Sequence, residues 1–285
     1  MTDLIVARGL GKSFGSTRAL TDVNFRVRPG RIVGLIGPNG AGKTTALKAL
    51  LGLTRFDGEL AVLGLDPYRR RHQLMQDVCF IADVAVLPRW IRVFQLIDFV
   101  AATHPRFRRE VCEHFLARSD VRKTSRVKEL SKGMVTQLHL ALVMAIDAKL
   151  LVLDEPTLGL DILMRKQFYE TLLNEYFDEQ RTILVTTHQV EEIEHILTDL
   201  LFIDRGRLVL DATMEEVQES YAQVAIRPEH VASARTLKPI AERQGLGRTH
   251  MLFKGAGRAE LEKLGEVGVP SVADLFVAVI QGARA

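Results

Sequence analysis

The sequence predicts an α/β fold built on a mostly parallel core sheet. Three apolar runs, at residues 32–36, 150–154 and 182–187, are each long enough for one strand. Strands of a parallel sheet are buried on both faces, so they lack the alternation of polar and apolar residues seen in half-exposed strands. Glycine, acidic residues or histidine stand at the end of each run. These residues would therefore meet at the carboxyl edge of the sheet, where α/β proteins bind ligands.

The first run leads into a glycine-rich loop, Gly-Pro-Asn-Gly-Ala-Gly-Lys-Thr at 37–44, and then into a helix-forming run at 45–51. Such a loop can point successive N–H groups at one anion, to which the helix N-terminus adds positive potential. Lys43 can reach the β- and γ-phosphates of a polyphosphate, and the Thr44 hydroxyl can ligate Mg²⁺. The alternative is a turn without a ligand. The predicted phosphate-binding residues are Gly37, Pro38, Asn39, Gly40, Ala41, Gly42, Lys43, Thr44 and Thr45.

Composition limits the class of protein. The 285 residues provide one full α/β domain and something smaller. A hydrophobic share of 47% and a charged share of 26% are those of an ordinary soluble protein. The net charge is +3, and the one dense basic run, residues 69–72, is interpreted as a solvated helix face rather than a nucleic-acid patch. Cys79 and Cys112 are the only cysteines, which excludes a disulfide framework and fits a reducing cytoplasm.

No segment is expected to enter a membrane. The N-terminus lacks the charged and apolar segments of a signal peptide. No window approaches the roughly 20 apolar residues needed to span a bilayer. Any membrane role would therefore depend on a partner.

The N-terminal region is predicted to be β structure. Residues 4–7 and 20–27 are expected strands, joined by a polar loop at 11–16. Phe14 is the lone aromatic residue of that loop, and it can either stack on a nucleotide base or pack on the sheet; its position favours neither. Further strands are predicted at 58–63 and 78–81.

A helical region is predicted from about 91 to 116, because apolar residues recur there with the spacing of one helix face: Val93, Leu96, Ile97 and Val100. Trp90 stands just before it and is the only tryptophan. We expect Trp90 to be a core residue, with a docking surface as the alternative.

A further helix is predicted to begin at Ser131, which suits the N-cap position. Gly133, two residues inside this helix, leaves the first N–H groups accessible, so the helix start is a second candidate anion site. The expected buried stripe consists of Leu138, Ala141, Leu142 and Ala145.

The second and third buried strands deliver titratable residues to the same sheet edge. Asp154 would hold Mg²⁺, and Glu155 would polarise an attacking water; the alternative is two solvated acids. His188 becomes a candidate contact for the γ-phosphate, although a lone histidine is more often structural. A helical segment at 189–197 and a hairpin of residues 200–204 and 207–211 are predicted to follow.

Five elements in this order resemble those of the nucleotide-binding subunits of ABC transporters. They are Gly-Pro-Asn-Gly-Ala-Gly-Lys-Thr at 37–44, Leu-Ser-Lys-Gly-Met at 130–134, Leu-Leu-Val-Leu-Asp-Glu-Pro at 150–156, Leu-Gly-Leu-Asp at 158–161, and His188. The resemblance covers residues 1 to about 220. It implies a P-loop NTPase fold of the ABC ATPase type with an antiparallel β portion, a helical subdomain at about 84–145, and ATP and Mg²⁺ as cofactors.

The resemblance also implies roles for single residues. Phe14 falls at the position of the aromatic residue that stacks on adenine. Ser131 and Gly133 fall where this family contacts the γ-phosphate of ATP held by the opposite subunit. Asp161 lies in the segment that crosses the dimer interface. Three residues fall near the surface that docks on the membrane permease: Trp90, Ile91 and Phe94.

Three positions depart from the family pattern. Asp83 aligns with a glutamine, and its shorter side chain would reach Mg²⁺ only through water. Lys132 and Met134 replace the more usual glycine and glutamine, which puts affinity and rate in doubt. Ser131 and Gly133, which carry the implied phosphate contact, are retained.

By this resemblance the chain is an ATPase on the cytoplasmic face of a membrane that powers an integral membrane permease subunit. Two copies, expected to form a homodimer, would close head to tail around two ATP molecules. No direct nucleic-acid partner is expected. One alternative is an ATP-driven nucleic-acid or ribosome machine, although the chain has one cassette and no heptad run. Another is a module that closes on ATP with little turnover.

Residues 221–285 are predicted to form a small α+β appendage, with strands at 224–226 and 250–253, a helix at 228–244 between them, and a last helix at 271–281. This last helix is expected to be amphipathic, with one apolar stripe of Val272, Leu275, Phe276 and Val279. The run at 270–276 resembles the terminal segment of ATPases that energise two-subunit exporters, which implies export. The appendage is either a packing element or has a regulatory or dimerising role.

Overall fold

A six-stranded sheet forms the centre of this computed structural model, which describes residues 2–82, 87–158, 160–178, 180–245 and 247–284. Its strands are β3 (Ile32–Ile36), β5 (Val78–Ile81), β6 (Leu150–Asp154), β7 (Thr182–Thr187), β8 (Asp199–Asp204) and β9 (Arg207–Thr213). The strand order is β5-β6-β7-β3-β8-β9, and all neighbours are parallel except β8 and β9, which form the predicted hairpin. The predicted mostly parallel core sheet is confirmed.

A three-stranded antiparallel sheet lies at the N-terminus, with β1 (Ile5–Phe14) between β2 (Thr17–Val27) and β4 (Asp57–Val62). The predicted loop at 11–16 is wrong, because β1 continues to Phe14, which pairs with Thr17. Register shifts after Ala7 mark bulges. A bulge lets a strand continue through glycine-containing sequence that looks like a loop.

Four helices follow: α1 (Lys43–Leu50), α2 (Arg71–Leu74), α3 (Val93–Thr103) and α4 (Arg109–Ala117). The helical region predicted at 91–116 is interrupted between α3 and α4. His104 has an extended backbone there, since the residue before a proline, here Pro105, disfavours the helical conformation. The basic run at 69–72 is solvent-exposed, as expected.

The helix predicted at Ser131 is α5 (Lys132–Met144), and the Ser131 hydroxyl accepts a hydrogen bond from the Met134 N–H at 3.2 Å. The N-cap prediction is therefore confirmed. The apolar side chains along one face of α5 pack in a single hydrophobic cluster with side chains of α3 and α4. All four predicted stripe residues are buried in that cluster: Leu138, Ala141, Leu142 and Ala145.

Trp90 is 72% exposed, so the core interpretation is wrong. The backbone on either side of it pairs with a second segment: the Lys128 N–H donates to the Arg89 carbonyl, and the Val127 N–H donates to the Ile91 carbonyl. Trp90 lies in a turn that the Ile91 N–H closes on the Pro88 carbonyl at 3.3 Å. Ile91 is buried, whereas the Trp90 side chain faces solvent at this turn.

A helix predicted at 189–197 is replaced by two 3₁₀ turns, Val190–Glu192 and Glu194–Ile196. Four residues there are buried, Val190, Ile193, Ile196 and Leu197, and the first three are spaced by three. A 3₁₀ helix repeats every three residues, so this spacing keeps all three side chains on one face. Before them, α6 (Ile162–Thr171) continues into a π-helical turn, Leu172–Tyr176.

The last part of the chain contains α7 (Met214–Ser220), β10 (Tyr221–Ile226), α8 (Val231–Thr236), β11 (Ala241–Gln244), β12 (Thr249–Lys254), α9 (Arg258–Leu261), β13 (Gly265–Gly268) and α10 (Val272–Arg284). The strands form an antiparallel sheet of order β11-β12-β10-β13. The helix predicted at 228–244 is wrong beyond Thr236. Pro239 lacks the N–H that a helix interior needs, and the chain then enters β11.

The last helix, α10, packs on the central sheet rather than extending into solvent. Val272 and Leu275 are fully buried in its core, and the Phe276 ring meets Phe202 of β8 edge to face, with centroids 5.2 Å apart. The apolar stripe predicted for this helix is confirmed. Among the described residues, no helix is long and apolar enough to cross a membrane.

His139 in α5 predicts a pH-dependent stability. Its Nδ1 atom is buried without a hydrogen-bond partner among the described residues, and burial lowers its pKa from 6.5 to about 4. The unfolded imidazole takes up a proton that the folded one does not, so stability present above pH 6.5 is lost as the pH falls. We expect this residue's contribution to the free energy of unfolding to fall by about 2 kcal/mol between pH 7 and pH 5.

Urea unfolding of wild type and of His139→Gln at both pH values measures this difference. The matched control is His72→Gln, which changes an exposed histidine and should leave the wild-type pH dependence intact. Equal pH dependence in wild type and His139→Gln would contradict the assignment.

Candidate active site

The glycine loop lies between the end of β3 and the start of α1. At Gly37, a Cβ atom would lie 2.4 Å from the Ile203 carbonyl oxygen. Gly42 has a φ of +113°, and a Cβ there would lie 2.7 Å from the Ala19 carbonyl oxygen. Only glycine fits where two backbones approach so closely. The loop is thus held against β8 on one side and β2 on the other.

A cavity of about 240 Å³ opens over this loop and the first turn of α1. Free N–H groups at a helix N-terminus favour an anion. The structure brings almost the whole predicted loop together with the two predicted acidic residues. The cavity is lined by Ala19, Pro38, Asn39, Gly40, Ala41, Gly42, Lys43, Thr44, Thr45, Asp154 and Glu155.

Lys43 is only 7% exposed, and its ammonium group is paired within the site. The Nζ atom donates to the Gly37 carbonyl at 2.7 Å and lies 3.6 Å from Glu155 Oε1. A buried charge needs such partners, since burial without them is costly. Lys43 therefore brings a positive charge to the cavity floor, next to the carboxylate of Glu155.

Asp154, at the end of β6, is held by two hydroxyl groups. The Thr44 hydroxyl donates to Oδ2 at 3.2 Å, and the Thr186 hydroxyl of β7 donates to Oδ1 at 2.6 Å. The parallel register places Asp154 directly beside Thr186. The carboxylate is therefore fixed from both sides at the carboxyl edge of the sheet.

Thr44 and Asp154 supply two hard oxygen donors, which is the ligand type that Mg²⁺ prefers. In the parts of the chain that the structure describes, no group of three or more histidine, cysteine, aspartate or glutamate residues could hold a metal ion. A partial oxygen set suits Mg²⁺, because this ion keeps several waters and shares phosphate ligands. Asp83, the other expected contributor, lies outside the described residues.

Glu155 has a φ of +47°, a left-handed backbone conformation that is uncommon for a residue with a side chain. Its N–H is fixed by Thr186, at 3.1 Å from the carbonyl oxygen and 3.2 Å from the hydroxyl. Its carboxylate contacts His188, with Oε2 2.9 Å from Nδ1 and 3.3 Å from the backbone N–H. Strained backbone of this kind is typical of functional sites.

Lys43, Thr44, Asp154, Glu155 and His188 therefore converge at one sheet edge. A carboxylate held between an ammonium group and an imidazole is positioned to accept a proton from water. Beside it, the loop N–H groups and Lys43 can neutralise an anion.

Ser131, Gly133 and Phe14 are not part of this cavity within one chain. Ser131 caps α5, and an added Cβ at Gly133 would contact Met164 of α6 at 3.5 Å. Phe14 lies at the tip of the β1–β2 hairpin, more than half exposed, with Lys12 Nζ 4.9 Å from its ring centroid.

Two residues of the site were not predicted. Thr186 is fully buried yet polar, so a threonine near the carboxyl end of an apolar strand was the pattern that could have revealed it. Ala19 approaches the loop through its backbone carbonyl. Every residue has this group, so the sequence carries no signal for the contact.

The sequence is similar to those of ATP-binding proteins of ABC transporters. A family model described as ABC transporter matches residues 20–158. Nod factor export ATP-binding protein I of Cupriavidus metallidurans is 32% identical over 263 residues, which are 89% of this chain and 86% of that protein. ABC transporter ATP-binding protein YtrB of Bacillus subtilis is 27% identical over 221 residues, which are 78% of this chain and 76% of that protein.

Solved structures share the fold. An ATP-binding subunit of an ABC transporter superposes with a TM-score of 0.68 at 24% identity, covering 76% of this chain and 92% of that one. The cbiO1 protein of Clostridium perfringens, described as part of the ABC transporter complex cbiONQ, gives a TM-score of 0.66 at 21% identity over 84% of this chain and 96% of that one. The chain belongs to the ABC transporter family as an ATP-binding subunit, which confirms the predicted family and fold class.

Thr186→Val tests how Asp154 is held. Removing the hydroxyl leaves Asp154 Oδ1 without its donor, so we expect a loss of about 1–3 kcal/mol in the free energy of unfolding. We also expect weaker binding of Mg²⁺-ATP, because the carboxylate loses its fixed position. Chemical denaturation and calorimetric titration measure the two effects.

Two controls separate them. Thr186→Ser retains the hydroxyl and should bind nucleotide like wild type. Thr182→Val removes another buried hydroxyl of β7, which accepts from the Gly30 N–H at 3.0 Å, and should reduce stability alone. Equal nucleotide affinity in Thr186→Val and Thr182→Val would contradict the role of Thr186.

Proposed function

We propose that the protein binds ATP with Mg²⁺ in this cavity and hydrolyses it to power substrate transport by a separate membrane permease. The observation that carries the proposal is the convergence of Lys43, Asp154 and Glu155 on one cavity over the glycine loop, with His188 in contact with Glu155. The family of the chain identifies the polyphosphate as ATP.

Binding would use the loop N–H groups and the N-terminus of α1 for the phosphates. Lys43 would exchange part of its pairing with the Gly37 carbonyl and Glu155 for the β- and γ-phosphates. Thr44 and Asp154 would hold Mg²⁺, with Asp83 as a further contact through water. When bound, this ion neutralises charge that develops on the transferred phosphoryl group.

Hydrolysis would use Glu155 to orient the attacking water and accept its proton. Water attacks the γ-phosphorus in line, and the bond to the β,γ-bridging oxygen breaks. His188 keeps the Glu155 carboxylate in place through its backbone N–H and Nδ1, and it would also contact the γ-phosphate.

Closure would require a second copy of the chain. Ser131 and Gly133 lie outside the cavity of their own chain. They would therefore contact the γ-phosphate of an ATP molecule that is bound by the other copy. Ile162 and Leu163, directly after Asp161, are 84% and 77% exposed. Exposed apolar side chains of this kind favour an interface at this segment.

Glu155→Gln tests the chemistry and the closure together. Removing the base should lower ATP turnover by on the order of 100-fold or more, while ATP binding is retained. ATP should then hold the variant as a dimer, since the γ-phosphate is not removed. Phosphate release and sedimentation velocity measure the two effects.

The control is Glu191→Gln, an exposed glutamate close in sequence to His188, which should leave turnover unchanged. Wild-type turnover in Glu155→Gln, or an ATP-loaded variant that stays monomeric, would contradict the proposal. Negligible turnover by the wild type would instead favour a module that only binds ATP.

ATP hydrolysis would power transport through a membrane permease subunit. This chain would bind that subunit on the cytoplasmic face of the membrane. Trp90 and the neighbouring Phe94 expose aromatic surface at the start of α3, and this surface is the proposed docking site. Ile91, expected there by family likeness, is buried. Export is favoured by the tail run at 270–276 and by relatives named as export ATP-binding proteins.

Affinity capture tests the partner. Tagged Glu155→Gln protein with ATP should retain a polytopic membrane protein in near-equal amount from detergent-solubilised membranes of its own host. Adding Trp90→Ala should release it, since burial of a tryptophan is often a dominant part of an interface. Mass spectrometry and quantitative gels measure the ratio.

Adding Val269→Ala instead changes an exposed apolar residue in the last part of the chain and should leave the complex intact. Purified Trp90→Ala protein should keep its basal ATP hydrolysis, because Trp90 is not in the cavity. Recovery of ribosomal or DNA-repair proteins without a membrane protein would contradict the transport function.

A further inference from the structure

Arg165 of α6 joins three segments of the chain beside the candidate site. Its Nε–H donates to the Leu160 carbonyl at 2.8 Å. Its Nη1 atom donates to Gln189 Oε1 at 2.7 Å and to Glu192 Oε1. The side chain is 19% exposed, so these contacts lie largely out of solvent. A partly buried guanidinium with a carboxylate partner makes strong, directional hydrogen bonds.

One end of this contact set reaches the segment that carries His188. Gln189 follows His188 directly and has a non-helical backbone. Its N–H donates to the Thr187 hydroxyl at 2.9 Å, and two short 3₁₀ turns follow, Val190–Glu192 and Glu194–Ile196. Few backbone hydrogen bonds fix such a segment. The bonds from Arg165 to Gln189 and Glu192 therefore help to fix its position, together with the buried side chains of Val190 and Ile193.

The other end reaches the segment proposed to meet a second copy. Leu160 precedes Asp161, whose carboxylate caps α6 by accepting from the Met164 N–H at 2.9 Å. The exposed Ile162 and Leu163 follow immediately. A displacement of this segment on dimer closure would thus move the Arg165 guanidinium, and Gln189 with it.

We propose that Arg165 is a positioning residue that couples the contact of a second copy at Leu160 and Asp161 to the placement of His188 against Glu155. This inference rests on the proposed function. Lysine cannot replace Arg165, because one ammonium group cannot reach the Leu160 carbonyl and both side chains of the His188 segment at once. Among the described residues, Arg165 makes no hydrogen bond or ion pair with Glu155 or with the cavity lining, so its effect would pass through His188.

NMR of the nucleotide-free protein tests the first link without requiring activity. The His188 imidazole resonances, assigned with His188→Asn, should shift or broaden in Arg165→Lys and in Glu192→Gln. They should stay in place in Lys166→Ala, which removes an exposed cation from the same helix. Unchanged His188 resonances in Arg165→Lys would overturn the proposal.

Steady-state kinetics tests the consequence. We expect Arg165→Lys to lower kcat about 10-fold or more, because small misplacements of catalytic groups are costly, while KM for ATP stays within about twofold. Arg165→Lys and Glu192→Gln should combine with less than additive effect, because they break one network. Additive effects, or a Lys166→Ala variant with an equal loss of kcat, would contradict the positioning role.

The two tests separate this inference from the proposed function. If wild-type protein does not hydrolyse ATP, the proposed function fails, and the His188 resonances alone decide the role of Arg165. If wild type hydrolyses ATP and Arg165→Lys matches its kcat, the positioning role fails and the ATPase assignment stands.

Discussion

The fold and the site both depend on the hydrogen bonds that the buried carboxylate of Asp154 accepts. Asp154 is 5% exposed, at the end of a strand that is otherwise apolar. Its two oxygens accept hydrogen bonds from Thr44 at the start of α1 and from Thr186 of β7. A buried charge of this kind is stable only when it is fully paired. The requirement ties the glycine loop, the acidic strand and the neighbouring strand together, and Glu155 and His188 follow from that arrangement.

Much of this could be predicted from the sequence, because local patterns carried it. A buried strand needs an unbroken apolar run, a close backbone approach needs glycine, and Ser131 suits an N-cap. These rules are sufficient to bring Lys43, Asp154, Glu155 and His188 to one sheet edge. The apolar face of α10 was predicted by the same reasoning, since its period is that of a helix.

The features that sequence reasoning missed depend on contacts between distant segments. Trp90 faces solvent at a turn whose flanking residues, Arg89 and Ile91, are hydrogen-bonded to residues 127–128. The end of β1 was mistaken for a loop because bulges interrupt its alternation. The Thr186 hydroxyl and Arg165 act across 32 and 27 positions of sequence, on Asp154 and Glu192. No local pattern fixes which partner such side chains will meet.

One chain supplies only part of the proposed catalytic site. The phosphate loop and Glu155 lie in one cavity, while Ser131 and Gly133 lie outside it at the N-terminus of α5. A site divided between copies would make ATP part of the interface, so that loss of the γ-phosphate releases the contact. In the proposed mechanism, this division would allow hydrolysis to be converted into motion of a partner.

The most direct test of a site shared between two copies is the ATP turnover of a mixture of two inactive variants, Glu155→Gln and Ser131→Arg. Each mixed dimer would contain one site with an intact Glu155 from one copy and an intact Ser131 from the other. Since random pairing makes half of the dimers mixed, we expect recovery of about a quarter of wild-type turnover. A mixture that remains as inactive as its components would contradict a site shared between two copies.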